Sequence, residues 1–525
     1  MTALNTSTGD ASIAPDTAAA ITWRSGPPLP EARATTVPQL MSECLRCFPT
    51  ATVINDGGRS ATWRDLDEWS ARLASAWADD LPRGGRCAIL VANGLAHLIA
   101  ELACWRLGAV AAPIFLGFGS ERIAGLLARL DPQVMLIDDL ALVRTAPGTV
   151  RRESSAELWR HALSPQRDRS DRAVVGGDAC LIQFTSGSTG IPRGVVLTHD
   201  NLASQQAAFA LHWPEIGPGD RLAAYLPWHH SFGGLAERLW SLCRGAELTV
   251  VPGGGRDRQQ LLATIQQVKP TVFLSVPKIH ALAVEERLFR GEDLRWVFTA
   301  GAPMPDDLRT WYADAGIPVC EGWGLTETSP SCTLTRPGRG IAGVVGHPIA
   351  GVSVGVRHTD GHILVRGPNV MAGYFRQSTT TLCEGVLDTD DLGAWSDAGL
   401  CLRGRADHQL KLGNGEKVSA ADLEATLLAH TEILHAVVGA EPELLVIVEM
   451  RDGTTRAEVL AAVDAVNAAQ ALPYQRISEV YVVSRRMCIE NGQLTASLKV
   501  SRGQVLDAFR CWRCDGGAQF VCYRS

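Results

Sequence analysis

Nowhere does this chain of 525 residues run through the ~20 uninterrupted apolar residues that a membrane-spanning helix needs. Its most apolar region, Cys87 to Phe118, is broken by Asn93, His97, Glu101 and Arg106. That pattern excludes a span and predicts buried strand and helix. A basic block is missing as well: 49 Lys and Arg stand against 56 Asp and Glu, a formal charge of -7, which excludes nucleic acid as the main partner. Met1 to Ala20 lacks both the basic start and the apolar core of a signal peptide, and its Thr, Ala and Asp content predicts a disordered leader, placed at residues 1–30. Fourteen cysteines without an export signal predict reduced thiols in the cytoplasm rather than a disulfide framework. The pairs Cys44/Cys47 and Cys511/Cys514 have the Cys-x-x-Cys spacing of half a zinc site. They stand at opposite ends of the chain, and unpaired thiols are the expectation. No internal repeat is present.

From about Thr62 short apolar runs alternate with amphipathic stretches. Helix is predicted over Trp63 to Trp77 and Ala96 to Leu107, and strand over Cys87 to Val91 and Val110 to Ile114. The same rhythm returns at Ala179 to Phe184, Arg221 to Leu226, Leu248 to Val251, Val272 to Ser275, Trp296 to Ala300 and Val319 to Glu321, and it predicts an α/β sheet protein. After Gly351 short alternating strands, Val352 to Val356 and His362 to Val365, predict a small β subdomain. A charged, Gly-bracketed segment at Leu402 to Asp407 marks a boundary. The expectation is a large N-terminal α/β domain of two α/β subdomains plus the β subdomain (31–403) and a small mobile α/β C-terminal domain (404–525). In open α/β sheets the loops after the strands form the binding crevice, so the loops 185–194, 227–234, 301–305 and 321–328 are expected to converge.

Chemistry is concentrated in those loops. Thr185-Ser186-Gly187-Ser188-Thr189-Gly190, followed by Arg193, offers backbone N–H groups, hydroxyls and a fixed charge to a polyphosphate. It is not the Walker loop, since no Gly-Lys-Ser/Thr follows at the required spacing. Glu321 to Glu327 combines the aromatic Trp323, the hydroxyl of Thr326 and the carboxylate of Glu327 on a glycine-loosened loop. These suit a stacked base, a phosphate contact and Mg²⁺. Asp391 can take ribose hydroxyls, Arg405 follows fourteen positions later, and Lys499 stands alone near the C-terminus. Singly, each has a plainer reading as core, turn or surface charge. Their order over more than three hundred residues is what independent surface choices seldom reproduce.

This set resembles the adenylate-forming superfamily of acyl-CoA synthetases, peptide-synthetase adenylation domains and firefly luciferases, over roughly residues 35 to 505. It is most similar to long-chain fatty acyl-CoA synthetases through Glu321 to Thr328, Gly404 to Glu424 and Leu494 to Arg502. Leu226 to Gly234 looks more like feruloyl-CoA-type synthetases. The resemblance implies ATP, Mg²⁺ and CoA as cofactors and a hydrophobic fatty or aryl acid as substrate. It implies that Thr185 to Gly190 and Arg193 hold the β- and γ-phosphates, that Thr326 touches phosphate, and that Glu327 binds Mg²⁺. Trp323, Gly322 and the turn Gly301-Ala302-Pro303 would frame the adenine, and Asp391 and Arg405 the ribose. His230 would line the acid pocket, Asp407 would be the hinge, and Lys499 would serve the adenylation step.

Arg193 replaces the family's usual lysine, and Asp390 replaces the usual glycine before Asp391, which places a second carboxylate beside the first and predicts either a raised pKa for one of them or a distorted turn. The tail from Cys511 to Ser525 does not resemble the expected helical ending, leaving its packing open. Three alternatives stay open: an enzyme that loads an acyl-carrier protein, a decayed adenylate-binding scaffold, and a luciferase-like oxygenase.

Overall fold

The computed structural model describes residues 20–138, 150–165, 169–185, 192–289, 293–379, 381–406, 409–412, 416–441, 443–495, 499–516 and 519–524. A seven-stranded sheet carries the central strands Arg86–Leu90, Val110–Pro113 and Val134–Ile137, which pair in parallel. Almost every residue of these three is buried, as expected of parallel strands covered on both faces. Helix Trp63–Trp77 starts at a capping box in which Thr62 and Asp65 satisfy each other's backbone N–H. It turns Trp63, Leu66, Ser70, Leu73, Ala74 and Trp77 inward, one stripe of a 3.6-residue period.

Helix Leu95–Arg106 is buried on nearly all sides, so its polar residues need internal partners. Arg106 pairs with Asp67 and Asp171. Glu101 lies 2.5 Å from Arg238 and 3.4 Å from His97. The polar interruptions that excluded a membrane span are thus cross-links inside the fold. Among the described residues no helix is long and apolar enough to cross a membrane.

A four-stranded sheet (Arg221–Ala224, Glu247–Val250, Thr52–Asp56, Arg59–Thr62) abuts a five-stranded one led by Val272–Ser275, Trp296–Ala300 and Val319–Trp323. Hydrogen bonds between Arg221 and Thr271 join the two. A six-stranded, largely antiparallel sheet follows, built on Ser353–Arg357, His362–Arg366 and Val386–Ser396. Separate apolar clusters begin at Leu410 and centre on the strands Ile433–Ala440, Leu444–Met450 and Glu479–Val483.

Two expectations are corrected and one open point is answered. Ile21–Ser25 is a strand paired with Ser353–Arg357, which contradicts a disordered segment over those residues of the expected 1–30 leader; residues 1–19 lie outside the described residues. Gly404 and Arg405 still pair with Leu392 and Asp391, so the boundary set at 404 falls inside a strand. The tail is built into the C-terminal unit: helix Arg502–Asp515 buries Val505, Leu506 and Phe509, and Phe520–Arg524 pairs antiparallel with Glu479–Val483. Phe509 sits 4.6 Å from the Tyr481 ring and 5.5 Å from Phe520, closing that end of the sheet.

All fourteen cysteines are free. Among the described residues the one cluster with metal-ligand spacing is His362, Asp388 and Asp390, which contains no cysteine. Within it, Asp388 is already engaged by Arg357 at 2.7 Å and His362 at 2.9 Å.

Candidate active site

Strand Ala179–Thr185 delivers Thr185 to the crevice, and Arg193 opens the return strand Arg193–Thr198 directly opposite it. Ser186, Gly187, Ser188, Thr189 and Gly190 lie outside the described residues. The Arg193 guanidinium stands 5.3 Å from the centre of the Tyr374 ring, within cation–π range. Tyr374 in turn donates its hydroxyl to Glu327 Oε1 at 2.9 Å. Burial and the Glu327 charge push the Tyr374 phenol up to about 12, so the hydroxyl remains a donor. Glu327 Oε2 has no hydrogen-bond partner among the described residues. This carboxylate oxygen and the hydroxyl of the neighbouring residue Thr326 are hard-oxygen donors of the kind Mg²⁺ prefers.

Thr326 belongs to the tight turn Thr326–Thr328 that follows strand Val319–Trp323. Its hydroxyl is 3.3 Å from that of Ser231, which joins the 227–234 loop to the 321–328 loop. Behind them Glu321 accepts from the backbone N–H of Met304 and pairs with Arg309, anchoring the turn at Gly301 to Pro303. Gly301, Ala302 and Pro303 are exposed on the crevice rim.

Gly301 adopts φ 81°, and a Cβ there would lie 2.9 Å from Lys499 Nζ. Only glycine suits both the left-handed backbone and that approach. Lys499 arrives from the far end of the chain and donates to the Gly301 carbonyl at 2.7 Å. The residue as a whole is exposed, and its ammonium is the part held against the Gly301 turn. Desolvation there lowers its pKa, with Asp391 opposing and Arg405 reinforcing the shift.

Asp391 is held from two sides, by the Trp323 indole N–H on Oδ2 at 2.7 Å and by Arg405 Nη1 on Oδ1 at 3.0 Å. Asp390 takes φ 59°, a left-handed conformation that aspartate accepts more readily than most residues. The chain therefore follows a glycine-like course at this substitution, and Asp391 stays in register opposite Arg405. Asp407 lies outside the described residues.

His230 sits half-buried at the mouth of the π-helical segment Phe232–Leu239. Its Nδ1 accepts from the Phe232 N–H at 3.3 Å, which leaves the ring proton on Nε2. Burial first and the Lys499 charge second lower its pKa to about 4, so the ring is neutral near pH 7. Below it Phe232 meets Phe298 edge-on at 5.6 Å. A Cβ on Gly322 would strike Leu334 and Phe298 at 2.6 and 2.8 Å. Gly322 therefore lets an apolar wall close in beside the loop. The Trp228 side of this segment rests on the buried Glu101–Arg238 pair, with Arg238 4.7 Å from the Trp228 ring centre. Burial raises the Glu101 carboxyl pKa, but Arg238 and His97 more than offset it, so the net shift is downward.

Sequence reasoning missed Tyr374, Ser231, Glu321, Arg309 and the Glu101–Arg238 pair. Tyr374 follows Gly373 as one of only six tyrosines, a faint signal. The charged pairs carry none, because their partners lie far apart in the chain.

The profile of the AMP-binding enzyme family matches residues 42–375. A feruloyl-CoA synthase of an Amycolatopsis species is 28% identical over 424 residues, spanning 76% of this chain and 84% of its own. A long-chain-fatty-acid–CoA ligase of Mycobacterium bovis is 27% identical over 531 residues, spanning 81% and 87%. Among solved structures, the O-succinylbenzoate coenzyme A synthetase of Bacillus subtilis in complex with AMP superimposes with a TM-score of 0.77 at 22% identity, covering 89% of this chain and 97% of that one. The anthranilate CoA ligase in complex with anthranoyl-AMP gives 0.77 at 20% identity, covering 90% and 97%. These two are likenesses of fold. With its profile matched over more than half its length, the chain belongs to the AMP-binding enzyme family.

Proposed function

We propose that the protein is an AMP-forming acid:CoA ligase. It joins a hydrophobic carboxylic acid to ATP with release of pyrophosphate, then passes the acyl group of the bound acyl-adenylate to the thiol of CoA with release of AMP. The observation that carries this reading is the meeting of Lys499 with Gly301, 198 residues apart in sequence, beside the Trp323–Asp391–Arg405 cluster. By their names the two relatives form CoA thioesters, one of a feruloyl group and one of a long-chain fatty acid, which supports the same class here.

The obstacle to adenylation is repulsion, because a carboxylate must reach the α-phosphorus of an anionic nucleotide. Lys499, freed from the Gly301 carbonyl, would bridge the acid and the α-phosphate oxygens. Arg193 and the Thr185 to Gly190 loop would steady the leaving pyrophosphate, and Glu327 with Thr326 would hold the Mg²⁺ that accompanies ATP and screens its charge. Asp391, held by Trp323 and Arg405, would accept the ribose hydroxyls. The neutral His230 and the walls of Phe232, Phe298 and Leu334 would seat the acid without adding charge near its carboxylate. Rotation of the C-terminal unit about Asp407 would withdraw Lys499 and admit CoA for the second step. Fourteen free cysteines support a reducing, cytoplasmic setting.

The test is acid-dependent exchange of pyrophosphate into ATP, followed by AMP release on adding CoA, over a panel of aryl and fatty acids. Absence of exchange across the panel overturns the reading. Exchange without a CoA product, rescued by a holo carrier protein, moves the acceptor.

A further inference from the structure

The short segment Met371–Phe375 ties together two parts of the crevice that the chain keeps far apart. Its Met371 N–H donates to the Glu327 carbonyl at 2.9 Å. Ala372 donates to the Val196 carbonyl at 3.0 Å and Phe375 to that of Gly194 at 2.7 Å, so Gly373–Tyr374 forms an antiparallel edge on the strand leaving the phosphate loop. Arg129 adds a clamp from outside, donating to the Pro192 and Phe375 carbonyls, both at 3.3 Å. At the centre of this clasp Tyr374 faces both groups at once, its hydroxyl on Glu327 Oε1 and its ring against Arg193.

We infer that Tyr374 is a positioning residue for the metal–triphosphate subsite, fixing the Glu327 carboxylate through its hydroxyl and the Arg193 guanidinium through its ring. This rests on the reading above, in which Glu327 holds Mg²⁺ and Arg193 meets phosphate. The physical case is one of geometry. A carboxylate on a tight turn can rotate about its side-chain torsions, and one oxygen must stay turned toward the cation. A donor on Oε1 removes that freedom and leaves Oε2 presented, without competing for it. The clasp then makes the spacing between carboxylate and guanidinium a property of one two-residue strand instead of two independent loops. That spacing matters because the cation and Arg193 must engage the same polyphosphate. Arg193, stacked on a ring, is held as a planar fork in a way a lysine ammonium would not be.

The test compares the full-length wild type with Tyr374→Phe and Tyr374→Leu. Calorimetric titration with ATP in the presence of Mg²⁺ and in the presence of chelator reads binding. Exchange of pyrophosphate as a function of Mg²⁺ reads chemistry, and thermal melting verifies the fold. A hydrogen bond to a charged group contributes about a factor of ten. Tyr374→Phe is therefore expected to raise the Mg²⁺ concentration for half-maximal binding about tenfold, with chelated ATP bound within about twofold of wild type. Tyr374→Leu is expected to weaken chelated ATP as well. In a Glu327→Gln background the effect of Tyr374→Phe on the Mg²⁺ requirement is expected to vanish, which a merely structural tyrosine would not produce. An unchanged Mg²⁺ dependence in Tyr374→Phe, or an undiminished effect in the Glu327→Gln background, overturns this inference while leaving the proposed function intact. A wild type with no exchange and no metal-dependent binding overturns both.

Discussion

Replacing Lys499 by alanine separates the two half-reactions most sharply. Its ammonium is held by the Gly301 carbonyl at 2.7 Å, a neutral acceptor that a phosphate oxygen would outcompete. A preorganised donor at developing charge contributes about 2.7–4 kcal/mol, or 10²- to 10³-fold in rate. Lys499→Ala should therefore slow acid-dependent pyrophosphate exchange by that factor. Thioester formation from synthetic acyl-adenylate, which needs no charge brought to a triphosphate, should stay within about threefold. Gly301→Ala should imitate the loss in part, because the new Cβ would meet Nζ at 2.9 Å on a backbone of φ 81°.

The pH profile gives an independent reading of the same residue. Desolvation lowers the Lys499 pKa, so its positive charge is present at low pH and lost as pH rises through that lowered value. The exchange rate should fall on an alkaline limb lying below the ordinary lysine range, and Lys499→Arg should remove the limb. Equal losses in exchange and thioester formation, or an alkaline limb that survives in Lys499→Arg, would refute the reasoning.

The remaining predictions concern the groups around that lysine. Trp323→Phe removes the N–H that holds Asp391 Oδ2 at 2.7 Å; discrimination between ATP and 2′-deoxy-ATP in kcat/KM should drop about tenfold, and an unchanged ratio would show that Asp391 needs no such support. Arg238→Met strands the buried Glu101 carboxylate, 2.5 Å from its partner in the native fold. It should lower stability by about 3–5 kcal/mol, seen as an earlier first thermal transition, whereas Glu101→Leu with Arg238→Met should recover most of the loss; equal destabilisation in both variants would contradict the account. Since the His230 pKa is lowered to about 4, its ring is neutral above pH 5 and its titration should add no limb there. A limb near pH 6.5 that disappears in His230→Phe would overturn that assignment.

The elements most legible in the sequence were those whose cause is local. Trp63–Trp77 announces itself through an amphipathic pattern with a stripe of large apolar residues, and the structure begins and ends the helix at those same two tryptophans. Val272–Ser275 and Trp296–Ala300 were equally plain, being short apolar runs bounded by turn residues. Phe232–Leu239 was hidden by its two glycines, which read as loop. In the structure they permit close packing instead: a Cβ on Gly233 would lie 2.5 Å from the Pro227 carbonyl, and one on Gly234 2.5 Å from that of Trp228. A glycine required for contact and a glycine required for a turn look alike in a one-dimensional string.

The same distinction divides the crevice. Glu327, Asp391, Arg405 and Lys499 were visible because each is a chemically conspicuous side chain in a motif. The groups that aim them were not, since aim is a property of pairs. Trp323 was expected as a plate for the base; that its edge binds Asp391 follows only from the pairing of Val386–Ser396 with Gly399–Arg405 across a different sheet. Tyr374 is a stronger case, for its hydroxyl, its ring and its backbone neighbours engage two remote segments, the turn at Glu327, 47 residues away, and the strand opened by Arg193, 181 residues away. A charge on a loop is cheap to encode, whereas a charge held in one orientation requires that a remote strand arrive in register. The two-residue strand Gly373–Tyr374, too short to register in any periodicity, is where this protein meets that requirement.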